Sequence, residues 1–183
     1  CGMSWSLVPT EHAPTWRQLM KTRYAPATWE IFPVAQYIAH DKAAMLHHDL
    51  GQFVTNRETL AWTLGLGFSL SYRIRAQDMT HDGSRQWLLW LDRLQKSVCS
   101  RCVGQPLSDF SHERDAGAAD DDDGILRARY DTLQVVANLS PRPRTVQNVR
   151  LAPWGFVATA RGLPGQEAVE APGPEDEMIL IYR

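Results

Sequence analysis

One stretch of this chain contains no apolar residue larger than alanine: Glu113-Arg-Asp-Ala-Gly-Ala-Ala-Asp-Asp-Asp-Asp-Gly124. Such a segment cannot bury enough surface to offset its ordering entropy, so it reads as a loop or linker. The hydrophobic pattern changes across it. On the N-terminal side, apolar residues at helical spacing alternate with strand-like runs; on the C-terminal side no helical period remains. The acidic run invites comparison with a calcium loop. With Gly124 at the sixth position of an EF-hand loop, Ala119 falls first and Tyr130 twelfth, where Asp and Glu are required. The calcium motif fails, and a solvated linker is the reading that stands.

The clearest single element precedes this stretch. Trp87, Leu88, Leu91, Leu94, Gln95, Val98 and Cys102 follow the i, i+3/i+4 rule and predict an amphipathic helix from Arg85 to about Cys102. Arg57 to Leu64 predicts a second helix, with Leu60, Ala61 and Leu64 inward, Thr55 or Asn56 as its cap, and Gly65 and Gly67 ending it. Ala43 to His48 is a short apolar run. Phe68 to Ile74 alternates, with Phe68, Leu70, Tyr72 and Ile74 on one face. Strand, helix, strand, helix is the repeating unit of a parallel α/β sheet or barrel.

After the acidic stretch, Ile125 to Tyr130, Leu133 to Leu139, Thr145 to Leu151 and Gly155 to Ala160 read as short strands. Within the second, Leu133, Val135, Ala137 and Leu139 share one face, and Gln134, Val136 and Asn138 the other. A Gly/Pro-rich excursion from Gly162 to Pro174 precedes a last strand, Met178 to Tyr182. Short strands separated by turns predict a small antiparallel β-sandwich. The fold expected is therefore α/β plus all-β: a partial (β/α) barrel segment over 1–112, a linker over 113–124 and a sandwich over 125–183.

Composition narrows the function. With 183 residues, 44% hydrophobic and 22% charged, the chain is globular rather than disordered, collagen-like or coiled-coil. Nineteen Lys plus Arg against 21 Asp plus Glu leave no global basic field, so no nucleic-acid partner is expected. No apolar run approaches the roughly 20 residues of a membrane span. The absence of a Gly-rich phosphate loop, a GxSxG elbow and an HExxH helix sets aside nucleotide and zincin chemistry, and no cofactor is expected. Cys99-Ser-Arg-Cys102 is a CxxC pair at the far end of the long helix, where the helix dipole opposes a thiolate, so both cysteines are read as packing residues.

The densest polar constellation is His40-Asp41 followed by His47-His48-Asp49. Imidazole and carboxylate in this number suit zinc or iron, and His-Asp pairs are similar to those of metal-dependent phosphohydrolases; a metal-dependent hydrolase is one reading. In another, Ala43 to His48 is a barrel strand, and His47, His48 and Asp49 stand at its carboxyl end, where such barrels gather their functional groups. Arg73, beside Tyr72 at the end of the alternating run, offers a rigid donor fork for a hydroxyl-rich or carboxylate substrate. Trp29 and Trp154, in loop-like surroundings, are candidate platforms for sugar rings, whereas Trp62, Trp87 and Trp90 belong to helix cores.

Three pieces in order carry a family resemblance. Phe32-Pro-Val-Ala-Gln-Tyr-Ile-Ala-His-Asp41 with Met45-Leu-His-His-Asp-Leu50 looks like a late barrel strand and its loop. Leu60-Ala-Trp-Thr-Leu-Gly-Leu-Gly-Phe-Ser-Leu-Ser-Tyr72 looks like the next helix and the last strand. Val135-Val-Ala-Asn-Leu-Ser140 with Leu151-Ala-Pro-Trp-Gly-Phe-Val157 looks like the β-sandwich that follows such barrels. The layout resembles the carboxyl-terminal part of a bacterial glycoside hydrolase of the α-galactosidase-like barrel type. The resemblance implies a carbohydrate substrate and the last two strand-helix units of an eight-unit barrel. Earlier strands would be supplied by a preceding segment of the same protein. It implies Asp49 as the catalytic carboxylate in this segment, with His47, His48, Tyr72, Arg73 and Trp29 binding substrate and no metal. A non-catalytic carbohydrate-binding or structural module is the alternative from another class.

Overall fold

The computed structural model describes residues 33–46, 54, 56–72, 74–114, 122–146 and 148–160, together with the strands 169–172 and 178–182. Its helices are α1 (Val34–Ala39), α2 (Arg57–Gly65), α3 (Ala76–Thr80) and α4 (Asp82–Leu94). A π-helical turn, Gln95–Cys99, runs on into a last short helix, α5 (Ser100–Cys102). The strands are β1 (Leu107–Glu113), β2 (Ile125–Tyr130), β3 (Leu133–Asn138), β4 (Arg144–Val146), β5 (Val149–Leu151), β6 (Phe156–Ala160), β7 (Val169–Pro172) and β8 (Met178–Tyr182). No helix among the described residues is long and apolar enough to cross a membrane.

Helix α2 and the long stripe form where the spacing predicts them. Helix α1 lies instead within Phe32 to Asp41, which the resemblance reads as part of a barrel strand and its loop, and α3 has no counterpart among the expected elements. Asn56 caps α2, its Oδ1 accepting the Thr59 amide at 2.8 Å. The long stripe folds as α4, the π-turn and α5, and it buries Trp87, Trp90, Leu91, Leu94, Val98, Cys99 and Cys102. Trp87 and Trp90 meet at 5.0 Å between ring centroids, and the Trp87 indole N–H donates to the Val54 carbonyl at 3.1 Å. Trp62 is also buried, so Trp62, Trp87 and Trp90 are all core residues.

Six strands form one sheet in the order β1-β2-β3-β6-β8-β7, antiparallel except for the parallel pair β6–β8, and β4–β5 form a separate two-stranded ribbon. The period-two alternation assigns the two faces. Leu126, Ala128, Val135, Ala137, Phe156 and Ala158 turn to the helices and join the main core. Ile125, Val136 and Val157 turn the other way and are covered by Val146 and Leu151 of the ribbon. Helix α2 lies against β2 and β3 so closely that a Cβ on Gly65 would sit 2.9 Å from Leu126 Cδ2. A side chain at this position would have to displace the buried Leu126 methyl.

The architecture is thus mixed helix and mainly antiparallel sheet, and it differs from expectation in three ways. First, the sheet is not parallel in its strand-helix region. The apolar run Ala43 to His48 and the alternating run Phe68 to Ile74 contribute one isolated parallel bridge, Leu46 to Ser69, within the described residues. Ile74 is exposed rather than on a shared apolar face. Second, the acidic stretch does not divide the molecule into separate cores. Strand β1, before it, pairs with β2, after it, from Glu113–Ile125 back to Leu107–Tyr130, and one hydrophobic cluster runs from Val54 to Ala160. Backbone pairing across the stretch outweighs the composition change on which the division into 1–112 and 125–183 rests. Third, Thr145 to Leu151 is a hairpin rather than one strand, reversing at Asn148, whose φ of 67° suits a tight turn.

Candidate functional site

Two chain segments approach each other at the Leu46–Ser69 bridge. The Ser69 amide donates to the Met45 carbonyl at 2.8 Å, and the Val54 amide to the Ser71 carbonyl at 3.1 Å. On the other side of the 68–72 segment, Gln95 Oε1 accepts the Leu70 amide at 2.9 Å. The π-turn begins at Gln95, and such a one-residue widening re-aims side chains along a helix. Tyr72 is half-buried and packs against the main core. Ser71 Oγ is buried and has no hydrogen-bond partner. Of the residues expected to act, Trp29, His47, His48, Asp49 and Arg73 lie outside the described residues.

His40 does not join an exposed ligand cluster. It is 2% exposed, its Nδ1 lies 2.9 Å from the Gln105 carbonyl oxygen and its Nε2 lies 2.9 Å from that of Gly67. With both ring nitrogens facing main-chain oxygens, neither offers a lone pair to a metal. Its ring stands 4.9 Å from that of Tyr130. Tyr130 is buried, its hydroxyl has no hydrogen-bond partner, and burial pushes its ionisation well above the ordinary tyrosine value. Gly67 makes this cluster possible: its φ is +72°, and a Cβ there would overlap the Tyr130 hydroxyl and come within 2.8 Å of His40 Nε2.

Asp41 points away from His40's cluster. It is exposed and pairs with Lys42 at 2.6 Å. That hydrogen bond holds its carboxyl below the usual value. The first half of the His-Asp constellation is therefore structural, and among the described residues no three His, Cys, Asp or Glu side chains converge as a metal-ligand set.

The CxxC pair is sealed in the core, as its place on the helix stripe predicts. Burial pushes the Cys99 thiol up to about 12 and the Cys102 thiol higher still, with Cys99 adding to the second shift. Both are thiols rather than thiolates at neutral pH, so neither is a nucleophile or a ready metal ligand. Trp154 occupies the third position of a turn closed by the Gly155 amide on the Ala152 carbonyl at 2.9 Å. Its φ of 58° is a left-handed conformation rare for a bulky side chain, and it packs partly against the main core.

A second polar cluster pins both ends of the acidic stretch. Asp122 accepts the Gly124 amide at 3.0 Å and the Arg144 guanidinium at 2.5 Å. His112 Nε2 donates to the Asp123 carbonyl at 2.6 Å, and Arg114 Nε to the Asp122 carbonyl at 2.9 Å. The sequence offers a histidine of the constellation packed in the core as one reading but does not single out His40, and it gives no sign of this second cluster, because neither follows from local spacing. The one available signal was Gly67, whose backbone freedom marks a close approach. Comparison with protein-family models, with curated proteins and with solved structures finds no match to this chain.

Proposed function

We propose that this chain is the closing segment of a glycoside hydrolase-like enzyme. In this reading it carries the last two strand-helix units of a (β/α) barrel and the β-sandwich that follows, and it acts on a carbohydrate. The observation that carries the proposal is the parallel bridge between Leu46 and Ser69 on either side of α2. A strand-helix-strand unit with parallel outer members is the building block of such barrels, and functional groups gather where its strands end. Leu46 is followed directly by His47-His48-Asp49, and Ser69 by Leu70-Ser-Tyr-Arg73. The sheet β1-β2-β3-β6-β8-β7 with its covering ribbon is then the sandwich.

Glycoside hydrolysis uses two carboxyl groups flanking the scissile bond. In this proposal Asp49 is one of them, and the other comes from an earlier strand of the same protein. His47, His48, Tyr72 and Arg73 hold sugar hydroxyls, and Trp29 stacks on a ring. His40 and Asp41 take no part, since one is pinned between carbonyls and the other is paired with Lys42 at the surface. The test is hydrolysis of a panel of 4-nitrophenyl glycosides by the protein that contains this chain. Asp49→Asn lowers kcat by roughly 100-fold or more with an unchanged melting temperature, the scale of a lost acid-base group. Sugar-dependent quenching of tryptophan fluorescence without turnover would replace the enzyme with a binding module. Undiminished turnover in Asp49→Asn would remove Asp49 from the reaction.

A further inference from the structure

The turn Ala152-Pro153-Trp154-Gly155 puts its bulkiest residue where the backbone least allows one. Proline second and a closing bond from the Gly155 amide to the Ala152 carbonyl make a turn whose third position, at positive φ, usually belongs to glycine or asparagine. Trp154 holds that position at φ 58°, with Gly155 only the next residue. Such a conformation persists where the surrounding structure over-determines it, and residues held this way gather at ligand clamps. Here the constraint comes from Asn138, the fully buried last residue of β3. Its amide nitrogen donates to the Ala152 and Arg142 carbonyls, each at 2.7 Å, and its Oδ1 accepts the Ser140 amide at 3.2 Å. The Trp154 amide in turn donates to the Ser140 carbonyl at 3.2 Å. One buried side chain thus fixes two loops at the same end of the sheet.

The two loops carry complementary groups. Trp154 is half-buried and Arg142 is exposed. Among the described residues the Arg142 guanidinium has no carboxylate partner, whereas Arg144, two residues on, is tied to Asp122. We propose that Trp154 and Arg142 form a binding site for an acidic sugar, the indole receiving the C–H face of the ring and the guanidinium fork the carboxylate of a uronic acid. Pro141, Ala152 and Pro153 beside them are only half-buried, so the site is an open shelf. A shelf leaves the hydroxyl edges of a sugar in water, whereas a flat apolar acid is held by an enclosed, mostly apolar pocket. The preset backbone keeps the ordering cost of binding low. None of these residues belongs to the constellation around Asp49, so the two sites stand or fall separately.

The test is calorimetric titration of the full chain with the trimers of galacturonate, glucuronate and mannuronate. At least one binds saturably, and its methyl ester, which keeps the rings and loses the charge, binds about tenfold more weakly or worse. Arg142→Ala lowers affinity for the acid by about tenfold or more, erases the difference between acid and ester, and leaves Tm unchanged because the side chain is exposed. Trp154→Phe, which keeps an aromatic face, retains binding, and Trp154→Ala loses it. Asp49→Asn leaves the affinities as they were; loss of binding in that variant would give the sugar to the other site and overturn the proposal. Failure of all three trimers to bind, equal affinity for acid and ester, or undiminished binding by Arg142→Ala also overturns it, and none of these needs Trp154→Ala to fold.

Discussion

Replacing Gly67 with alanine tests the packing argument at its tightest point. The residue sits at φ +72°, where an L side chain costs roughly 1–2 kcal/mol. The added methyl also overlaps the Tyr130 hydroxyl and comes within 2.8 Å of both Tyr130 Cζ and His40 Nε2. Forcing a methyl into a filled core costs roughly 1–3 kcal/mol. The two effects together give a loss of about 2–5 kcal/mol, or roughly 5–15 °C in Tm for a chain of this length. A control separates them. The Tyr130 hydroxyl is buried without a partner, so Tyr130→Phe removes an unsatisfied group and leaves stability unchanged or slightly higher. In the Tyr130→Phe background the closest obstruction is gone and Gly67→Ala costs less, with the ring carbon and His40 Nε2, each at 2.8 Å, still crowding the methyl. Urea unfolding of the four proteins, followed by tryptophan fluorescence, gives a coupling energy of about 1 kcal/mol or more between the two sites. A Gly67→Ala penalty below about 1 kcal/mol, or additive effects of the two substitutions, would refute the account of why glycine stands there.

Two further outcomes concern ionisable groups. At Asp122, burial raises the carboxyl, but the Gly124 amide, Arg144 and Ser140 together outweigh it and hold the group below its ordinary value. A depressed folded value means that this stabilisation is present in full above about pH 4 and is lost as the pH falls further; Asp122→Asn flattens the acid limb of a urea-midpoint curve, and an unchanged limb would show the pair to be idle. Cys99 and Cys102, held as buried thiols, stay unlabelled by iodoacetamide at about pH 8 in the folded protein and react once it is unfolded. Fast labelling of either in the native state, read by peptide mass, contradicts their burial.

What could be read from the residues is what local physics dictates. The stripe through Trp87, Leu91, Leu94 and Val98 has one way to bury itself, and it forms the predicted helix. The alternation in Leu133 to Leu139 separates the two faces of β3, with Val136 opposite Val135 and Ala137. Strand β1 escaped notice because Ser108-Asp-Phe-Ser-His-Glu113 lacks apolar alternation; an edge strand covered on one side needs little of it. The widening of the long helix at Gln95 was equally hidden, as was that side chain's bond to the Leu70 amide 25 residues earlier. At the site, the sequence placed histidine and aspartate close together along the chain. It could not show that His40 would spend both nitrogens on distant carbonyls while Asp41 turned to solvent. Those outcomes depend on contacts 27 and 65 residues away.

The pairing of β1 with β2 has a consequence for how this chain could be taken apart. A backbone cut between Arg114 and Asp122 would leave one piece ending in an edge strand with nothing to lie against, and another lacking the helices that cover its apolar side. Neither piece could hide its own oily surface, yet each is the other's complement along a seven-residue strand. Split there, the two should behave as a self-assembling pair, recognising each other by the same ladder that now runs unbroken through the intact polypeptide.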